Sequence, residues 1–497
     1  MNKPLRLPLS FALAVLSAAL LILLFPPFNL AWLAPFALTP ILVALAREPR
    51  PLRRFLLGWT AGVVYWFTVC TWIQFVLEVH GGIGRWGGWG TFVLFCFAKA
   101  LHFGVFSALA GVLLPRPYAL PAVAALWTGI ERTHGTLGFA WLTLGNAGVD
   151  MAVPMRAAPF VGVYGLSFTF ALLSTAVALV ILRRPRKQLW PALAVVVLLL
   201  LPALPAPVAG TQTAALVQPN VPEEFDWTEK AADHMRQRLL TQSLQAAQKT
   251  DLLVWPEVPG PLYYDRDPRF RAEAAGLARA TNSFFLFGTV GNSATGAPLN
   301  SAVLLRPDGT YVDHYDKMYL VPFGEFIPPL FGFVNRITQE AGDFTPGERV
   351  VVFPAGAHRI GTFICYESAF PHLVRQFARQ GAQVFVNISN DGYFGHSAAR
   401  EQHLSIARMR AAENRRWILR ATNDGITAAI DPAGRVLQRS PLYAEETLRA
   451  GYSYVDETTM YTRYGDWFAW GCLLAAALAL AVSQKPHYRK PVRRPLE

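Results

Sequence analysis

Charge is scarce in this chain. Asp, Glu, Lys and Arg make up 16% of 497 residues, against about 25% in an ordinary soluble domain. Cysteine is scarcer still, with four residues, which excludes a disulfide-stapled scaffold. There is no Gly-rich phosphate loop, no Cys/His spacing suited to a metal, and no basic stretch interleaved with aromatics. Nucleic-acid binding therefore has no motif to rest on, and no repeat points to a solenoid. What abounds is apolar: 53% of residues are hydrophobic and 13% are aromatic, which excludes disorder. The length favours two or more domains. The formal net charge of +12 fits either a polyanionic partner or a membrane, and the placement of the charges decides between them.

Apolar residues concentrate in 1–209 and 466–483. A bilayer core of about 30 Å needs about 20 apolar residues in a helix, because uncovered backbone polar groups are costly in lipid. Eight spans are expected, at 8–25, 29–46, 55–78, 88–114, 118–133, 158–182, 189–205 and 466–483. The first is read as a span rather than a cleaved signal, since Pro26-Pro27 follows with no clear small-x-small cleavage site. One set of loops and tails carries Lys3, Arg6, Arg47, Arg50, Arg53, Arg54, Arg116, Arg183, Arg184, Arg186, Lys187, Lys485, Arg489, Lys490, Arg493 and Arg494; the alternate loops carry Arg85, Arg132 and Arg156. This asymmetry puts both termini in the cytoplasm and residues 210–464 on the far side. The net charge is then a topology signal, because the exported part is close to neutral. The expected organisation is a seven-helix transmembrane region at 1–209, an exported catalytic domain at 210–464, an eighth helix at 465–484 and a basic cytoplasmic tail at 485–497. Glu78, Lys99, His102 and Glu131 lie in or near the spans, where pairing, snorkelling and headgroup binding are the available roles.

Residues 210–464 read as one α/β domain. β-rich runs recur at Thr213–Val217, Leu252–Trp255, Phe284–Val290, Ala302–Leu305, Arg359–Ile364, Val384–Ile388, Ile418–Thr422 and Ile426–Ile430, with helix-period segments at 229–249, 268–281, 368–380 and 397–416. Pro307-Asp308-Gly309 and Asp431-Pro432-Ala433-Gly434 mark hairpins. The mixture suggests two sheets in a layered sandwich.

Three segments carry chemistry. Cys365 is the one cysteine of the exported part; it ends a strand and precedes a helix, a place that favours a thiolate. Leu252–Trp255 delivers Glu257 past Pro256; an acid at a strand end among apolar neighbours has a raised pKa and suits a general base. Lys317 lies amid aromatic and apolar residues, where burial would require acidic partners and the ammonium could stabilise an oxyanion. Each alone has an ordinary reading, as a core cysteine, an N-capping acid and a solvated lysine. The histidines of this part lie in polar loops or helices with no motif around them.

Together these segments resemble the Glu-Lys-Cys triad of the carbon–nitrogen hydrolase (nitrilase) superfamily. The acid stands in Trp255-Pro256-Glu257, the lysine precedes Leu320-Val321-Pro322-Phe323-Gly324-Glu325, and the nucleophile stands in Ile364-Cys365-Tyr366-Glu367. Such a domain between seven spans and a final one is similar, over essentially the whole chain, to the bacterial apolipoprotein N-acyltransferases. Gln218-Pro219-Asn220-Val221-Pro222 with Trp227 downstream, Ser389–Gly395 and Arg420–Gly425 add to the likeness. Family members often carry Gly where Pro219 stands and Trp where Tyr393 stands.

The resemblance implies a polytopic α-helical membrane domain with a nitrilase-like αββα sandwich, in the bacterial inner membrane, with the catalytic domain periplasmic. It implies a monomer with no metal or organic cofactor and no nucleic-acid partner. The reaction implied moves an acyl chain from a phospholipid, typically phosphatidylethanolamine, to the α-amino group of the diacylglyceryl-modified N-terminal cysteine of an apolipoprotein. Glu257 would be the base, Cys365 the nucleophile and Lys317 the oxyanion stabiliser. Glu325 would hold the loop or pair with Lys317, and Tyr366 and Glu367 would shape the nucleophile's turn. Trp227 would line the entrance or anchor at the interface, and Asn390 and Tyr393 would support the site or bind substrate. The apolar stretch 326–334 is too short to span and hard to leave in water, so it is expected to dip into the membrane beside the site. A membrane-tethered amidase using the same triad is the alternative; a transporter leaves the triad segments unexplained.

Overall fold

The structure is a computed structural model that describes residues 5–136, 139–222, 228–322, 324–326 and 344–484. Among them, two helices are long and apolar enough to cross a membrane, Gly84–Leu113 and Ala158–Ile181. Pro51–Val69 and Trp72–His80 pass the same test together as one span bent by 62°. Leu7–Leu23, Ala31–Arg47 and Trp467–Ser483 are shorter apolar helices, and Ala119–Thr136 completes the bundle. On the last helix Trp467, Trp470, Leu474, Leu478 and Val482 are all exposed. At that spacing they form one outward stripe, a surface suited to lipid rather than water.

The expected spans coincide with helices except at three places. The second, 29–46, is a 3-10 helix at Ala31–Phe36 followed by an α-helix at Thr39–Arg47. The third, 55–78, is broken around Cys70 and Thr71. The seventh, at 189–205, is a 3-10 helix at Trp190–Val196 followed by one α-turn at Val197–Leu200. Eleven residues at about 1.5–2.0 Å each fall short of a bilayer core of about 30 Å. Pro191 and Pro202 bracket the segment, and Pro202 cannot continue a helical ladder.

The ionisable groups in the bundle find protein partners. Glu131 Oε1 accepts from the Leu144 N–H at 2.6 Å. Lys99 Nζ donates to the Phe139 carbonyl at 3.2 Å and sits 5.2 Å from the Trp66 ring centre. His102 meets His134 edge-on at 4.1 Å, and Glu78 accepts from Gln74. Arg132, expected in an outward loop, lies within Ala119–Thr136 and pairs with Asp466 at 2.5 Å.

Among the described residues, the α/β part contains twelve strands: β1 (Gln212–Gln218), β2 (Leu252–Val254), β3 (Phe284–Asn292), β4 (Pro298–Leu305), β5 (Tyr311–Asp316), β6 (Val352–Ala355), β7 (His358–Ile364), β8 (Val384–Ser389), β9 (Ile418–Thr422), β10 (Ala428–Ile430), β11 (Val436–Arg439) and β12 (Glu446–Tyr452). They form two six-stranded sheets, ordered β12-β1-β2-β3-β4-β5 and β11-β10-β9-β8-β7-β6. Each has a parallel centre, β1-β2-β3 and β9-β8-β7, with antiparallel flanks. The two expected hairpins join β4 to β5 and β10 to β11, with Gly309 and Gly434 supplying the positive φ. All eight expected strands form; β5, β6, β11 and β12 are additional.

Alternation along the strands builds the layers. Ala214, Leu216, Leu252 and Val254 belong to the large core, while Ala215, Val217, Leu253 and Trp255 face the other way into a second core. Helices Glu229–Ala246 and Pro268–Thr281 close that outer core with Met235, Leu239, Phe270 and Leu277. Helices Pro371–Arg379 and Ala399–Asn414 cover the second sheet. Ala399–Asn414 is also packed against the membrane helices, and all its residues but Glu401 and Arg408 are buried. Its contacts there are polar and specific. Gln402 accepts from the Trp141 indole at 2.8 Å and donates to the Val69 carbonyl at 3.2 Å. Glu413 accepts from the Val163 N–H at 2.8 Å.

Candidate active site

Glu257, Lys317 and Cys365 each stand just past a strand, β2, β5 and β7. Strand ends are rigid and open outward, so three segments distant in sequence converge where the sheets meet. Gly288 on β3 lets the Glu257 turn lie directly on its neighbour: a Cβ there would sit 2.5 Å from the Val258 nitrogen and 2.6 Å from the Pro256 oxygen.

Lys317 is only 1% exposed, and its Nζ donates to Glu257 Oε1 and to Glu325 Oε1, each at 2.9 Å. Burial works against the ammonium, but the carboxylates of Glu257 and Glu325 outweigh it and hold the lysine well above its ordinary pKa. Asn300 Nδ2 reinforces the clamp, donating to Glu257 at 2.8 Å and to Glu325 at 2.6 Å. Glu257 Oε2 accepts the backbone N–H of Asn390 at 2.8 Å, and Glu325 Oε2 accepts that of Val321 at 2.8 Å. Glu257 thus sits among three donors rather than in the apolar surroundings expected from its flanking residues.

Cys365 has a φ of +48°, a left-handed conformation that costs a residue with a Cβ about 1–3 kcal/mol and persists only where neighbours enforce it. Glu367 is one enforcer. It is fully buried and accepts from the Ile364 N–H at 2.7 Å, the Met318 N–H at 2.7 Å and the Tyr315 hydroxyl at 2.7 Å. This ties the Cys365 turn to the lysine segment. Burial pushes the Glu367 carboxyl up to about 7, against the pull of those donors.

The field at the thiol differs from the expectation of a helix-favoured thiolate. Burial above all, and then Glu257, push the Cys365 thiol up, with Lys317 opposing. The regular helix starts only at Pro371, after a 3-10 turn at Cys365–Ala369, so its N-terminus is too remote to prevail. The thiol is therefore protonated at neutral pH and needs a base at the moment of attack. Alkylation of Cys365 by iodoacetamide, followed by peptide mass mapping, is expected to rise with pH up to pH 9 without levelling. A plateau below pH 8 would mean the thiolate is already formed.

The other expected residues are placed as follows. Tyr366 is buried, with ring centres 6.2 Å from Phe139 and 6.3 Å from Trp141 of the helical part. Tyr393 stacks on His80 at 4.0 Å, where the bent segment Trp72–His80 ends. Asn390 supplies its backbone N–H to Glu257, and its side chain caps the turn Asp391–Phe394 through Gly392 N. A cleft of about 250 Å³ opens beside the Glu257 turn, lined by Val221, Pro259, Pro261, Tyr263, Asn390 and Asn423. Trp227 and residues 327–334 of the apolar stretch lie outside the described residues.

Sequence reasoning missed Asn300 and His403, and it quoted Asp391 and Arg420 only within family-like segments. Asn300 sits mid-strand in apolar β4, where a lone polar side chain was the available signal. His403 was set aside as a polar-helix histidine, yet it is fully buried. Its Nε2 lies 3.0 Å from the Cys365 carbonyl oxygen and its Nδ1 3.0 Å from Asp391 Oδ1. Arg420 Nη2 holds both Asp391 oxygens at 2.8 Å. Arg420 and burial are what the sequence hides: the helix carrying His403 reads as polar because its partners are polar on both sides.

Comparison with known proteins follows the same two-part division. A family model described as carbon-nitrogen hydrolase matches residues 213–456, and one described as apolipoprotein N-acyltransferase N-terminal domain matches residues 17–176. The chain is 34% identical over 505 residues to the apolipoprotein N-acyltransferase of Geobacter metallireducens, covering 95% of each chain. It is 32% identical over 503 residues to that of Ralstonia nicotianae, covering 95% of this chain and 94% of the other. Among solved structures, an amidase from Nesterenkonia sp. is 20% identical, with a TM-score of 0.40 over 52% of this chain and 94% of that one. With full-length relatives above 30% identity, and both parts matched in order, the chain belongs to the apolipoprotein N-acyltransferase family.

Proposed function

We propose that this chain transfers a fatty acyl group from a phospholipid, phosphatidylethanolamine in the first instance, to the α-amino group of a diacylglyceryl-modified cysteine at the N-terminus of an apolipoprotein. The observation that carries the mechanism is the buried clamp of Lys317 between Glu257 and Glu325, 2.9 Å from each, in the electrostatic reach of a strained Cys365.

Glu257 takes the Cys365 proton as sulfur attacks the ester carbonyl. Lys317 and the Tyr366 backbone N–H stabilise the tetrahedral oxyanion. Lysophospholipid leaves with the proton returned by Glu257, and the acyl group remains as a thioester. The acceptor amine then attacks the thioester. Glu257 accepts the amine's proton and delivers it to the departing sulfur, so an amide is formed and the thiol restored. Glu325 keeps Lys317 in place, Asn390 keeps Glu257 in place, and Glu367 and Tyr366 hold the turn. Tyr393 closes the side facing the membrane.

The two parts take residues 1–209 with 465–484 as the membrane unit, 210–464 as the catalytic unit and 485–497 as the tail. The charge asymmetry of the loops supports cytoplasmic termini and a periplasmic site. Eight crossings satisfy that asymmetry, and the short segment Trp190–Leu200 then acts as the seventh with its flanks. An amidase reading uses the same triad, but it gives no reason for aromatic contacts between Tyr366 and the helical bundle.

The test uses purified full-length protein and phosphatidylethanolamine alone. One acyl mass is expected on Cys365 in the absence of acceptor, discharged on adding a diacylglyceryl-cysteine peptide with a free amine. No adduct, or discharge to water at the same rate with and without the peptide, would overturn the proposal.

A further inference from the structure

The acylation mechanism above leaves one buried assembly unused, the chain Arg420–Asp391–His403 that ends on the nucleophile's own carbonyl oxygen. All three side chains are fully buried. Asp391 Oδ1 also accepts from the Ser389 hydroxyl at 2.8 Å, and Arg420 Nη1 donates to Asn387. Arg420 Nη2 lies 3.0 Å from His403 Nδ1. The imidazole is thus fixed from one side by a charged pair, and its other nitrogen points at Cys365 O, 3.0 Å away. A carbonyl offers no hydrogen, so Nε2 must carry one; the tautomer lacking it would set two lone pairs against each other.

The consequence lies in the geometry of one peptide. The Cys365 carbonyl and the Tyr366 N–H belong to the same planar unit, and in a trans peptide they point in opposite directions. Whatever fixes the oxygen therefore aims the hydrogen. At a residue with φ +48° the peptide has no regular ladder to hold it. The turn Cys365–Ala369 is a single short 3-10 segment, and Glu367 anchors an earlier amide, Ile364 N, not this one.

We propose that His403 is a positioning residue for acylation: by holding the Cys365 carbonyl it aims the Tyr366 N–H at the developing oxyanion, with Asp391 and Arg420 fixing the imidazole. The inference rests on the thioester mechanism. It adds to it the means by which a backbone donor is kept in place before substrate arrives, which is where such donors gain their effect. It also gives the buried Arg420–Asp391 pair a purpose other than stability, since a buried ion pair contributes little net stabilisation by itself.

The test separates two amide isosteres. His403→Gln places a donor near the Nε2 position, whereas His403→Asn places polar atoms near Nδ1 and leaves the Cys365 oxygen without a partner. Full-length wild type and both variants are given phosphatidylethanolamine alone, and the rate constant for the Cys365 adduct is measured against lipid concentration. His403→Asn is expected to lower the maximal rate about a hundredfold, the scale of one lost oxyanion donor, with the half-saturating lipid concentration within about threefold. His403→Gln is expected to recover to within about tenfold of wild type. A folded His403→Asn protein acylated as fast as wild type would overturn the inference, and so would a folded His403→Gln protein as slow as His403→Asn. If His403→Asn does not fold, His403→Gln decides alone: within tenfold supports the inference, and a hundredfold loss in folded protein overturns it. Absence of any adduct in wild type would instead overturn the thioester mechanism itself.

Discussion

Replacing Cys365 by Ser is expected to reduce acyl transfer by about ten-thousandfold or more while leaving the fold intact. The change is nearly isosteric, and the thiol makes no bond that the core depends on. Its backbone, held through Ile364 N and the Cys365 carbonyl, is untouched. A serine hydroxyl is a far weaker acid than a thiol, and the site already disfavours the anion: burial and Glu257 push even the thiol up. Glu257 can therefore hardly deprotonate it, and no adduct should be seen by mass spectrometry. Measured turnover above about 1% of wild type, with thermal unfolding unchanged, would place the nucleophile elsewhere.

Lys317→Met is expected to have the second largest effect, and on two properties at once. Methionine keeps the stem's volume but removes the cation between Glu257 and Glu325. Breaking a buried ion cluster from one side costs about 3–5 kcal/mol, and losing the charged oxyanion partner costs about a hundredfold to a thousandfold in rate. A sign follows for pH. With the ammonium present, the raised lysine pKa gives stability that is complete below the unfolded value near 10.4 and is lost only as pH rises through the still higher folded value. Without it, two carboxylates share one site and one of them is pushed up. Its contribution is then largest at low pH and falls as pH rises through the raised value. Unfolding of Lys317→Met in detergent is therefore expected at a higher temperature at pH 5 than at pH 8, relative to wild type at each pH. An equal shift at both would show that the carboxylates do not face each other.

Glu257 and Cys365 were legible in the sequence because each follows an apolar run, Leu252–Trp255 before Pro256 and Ile360–Ile364 before Tyr366, whereas Lys317 was legible from the aromatic and apolar residues around it. Hydrophobic runs locate strands, and strand ends locate sites. Three of the strands missed, β5, β11 and β12, lack such runs. β5 reads Tyr-Val-Asp-His-Tyr-Asp, and β11 and β12 carry Gln, Arg, Glu and Thr on partly exposed faces. The helix of the seventh segment is shorter than expected for a different reason: its composition is apolar, but Pro191 and Pro202 limit the helix. Asn300 and His403 were hidden for a third reason. A polar residue's role depends on what lies across from it in space, and the partners here come from segments tens of residues away: Asn300 meets Glu257, and His403 meets Cys365.

Gln402 and His403 are neighbours in sequence but face opposite ways, one to Trp141 and Val69 of the bundle and the other to the nucleophile. A single helical turn therefore carries two addresses. For a chain synthesised from its N-terminus, the bundle's early helices exist before residue 402 emerges, and the docking that seats Gln402 against them also brings His403 to the Cys365 carbonyl. Insertion into the membrane and completion of the thiol's surroundings are then successive stages of one assembly. A polypeptide whose bundle has not assembled lacks the berth for that helix, and with it the imidazole contact to the Cys365 carbonyl.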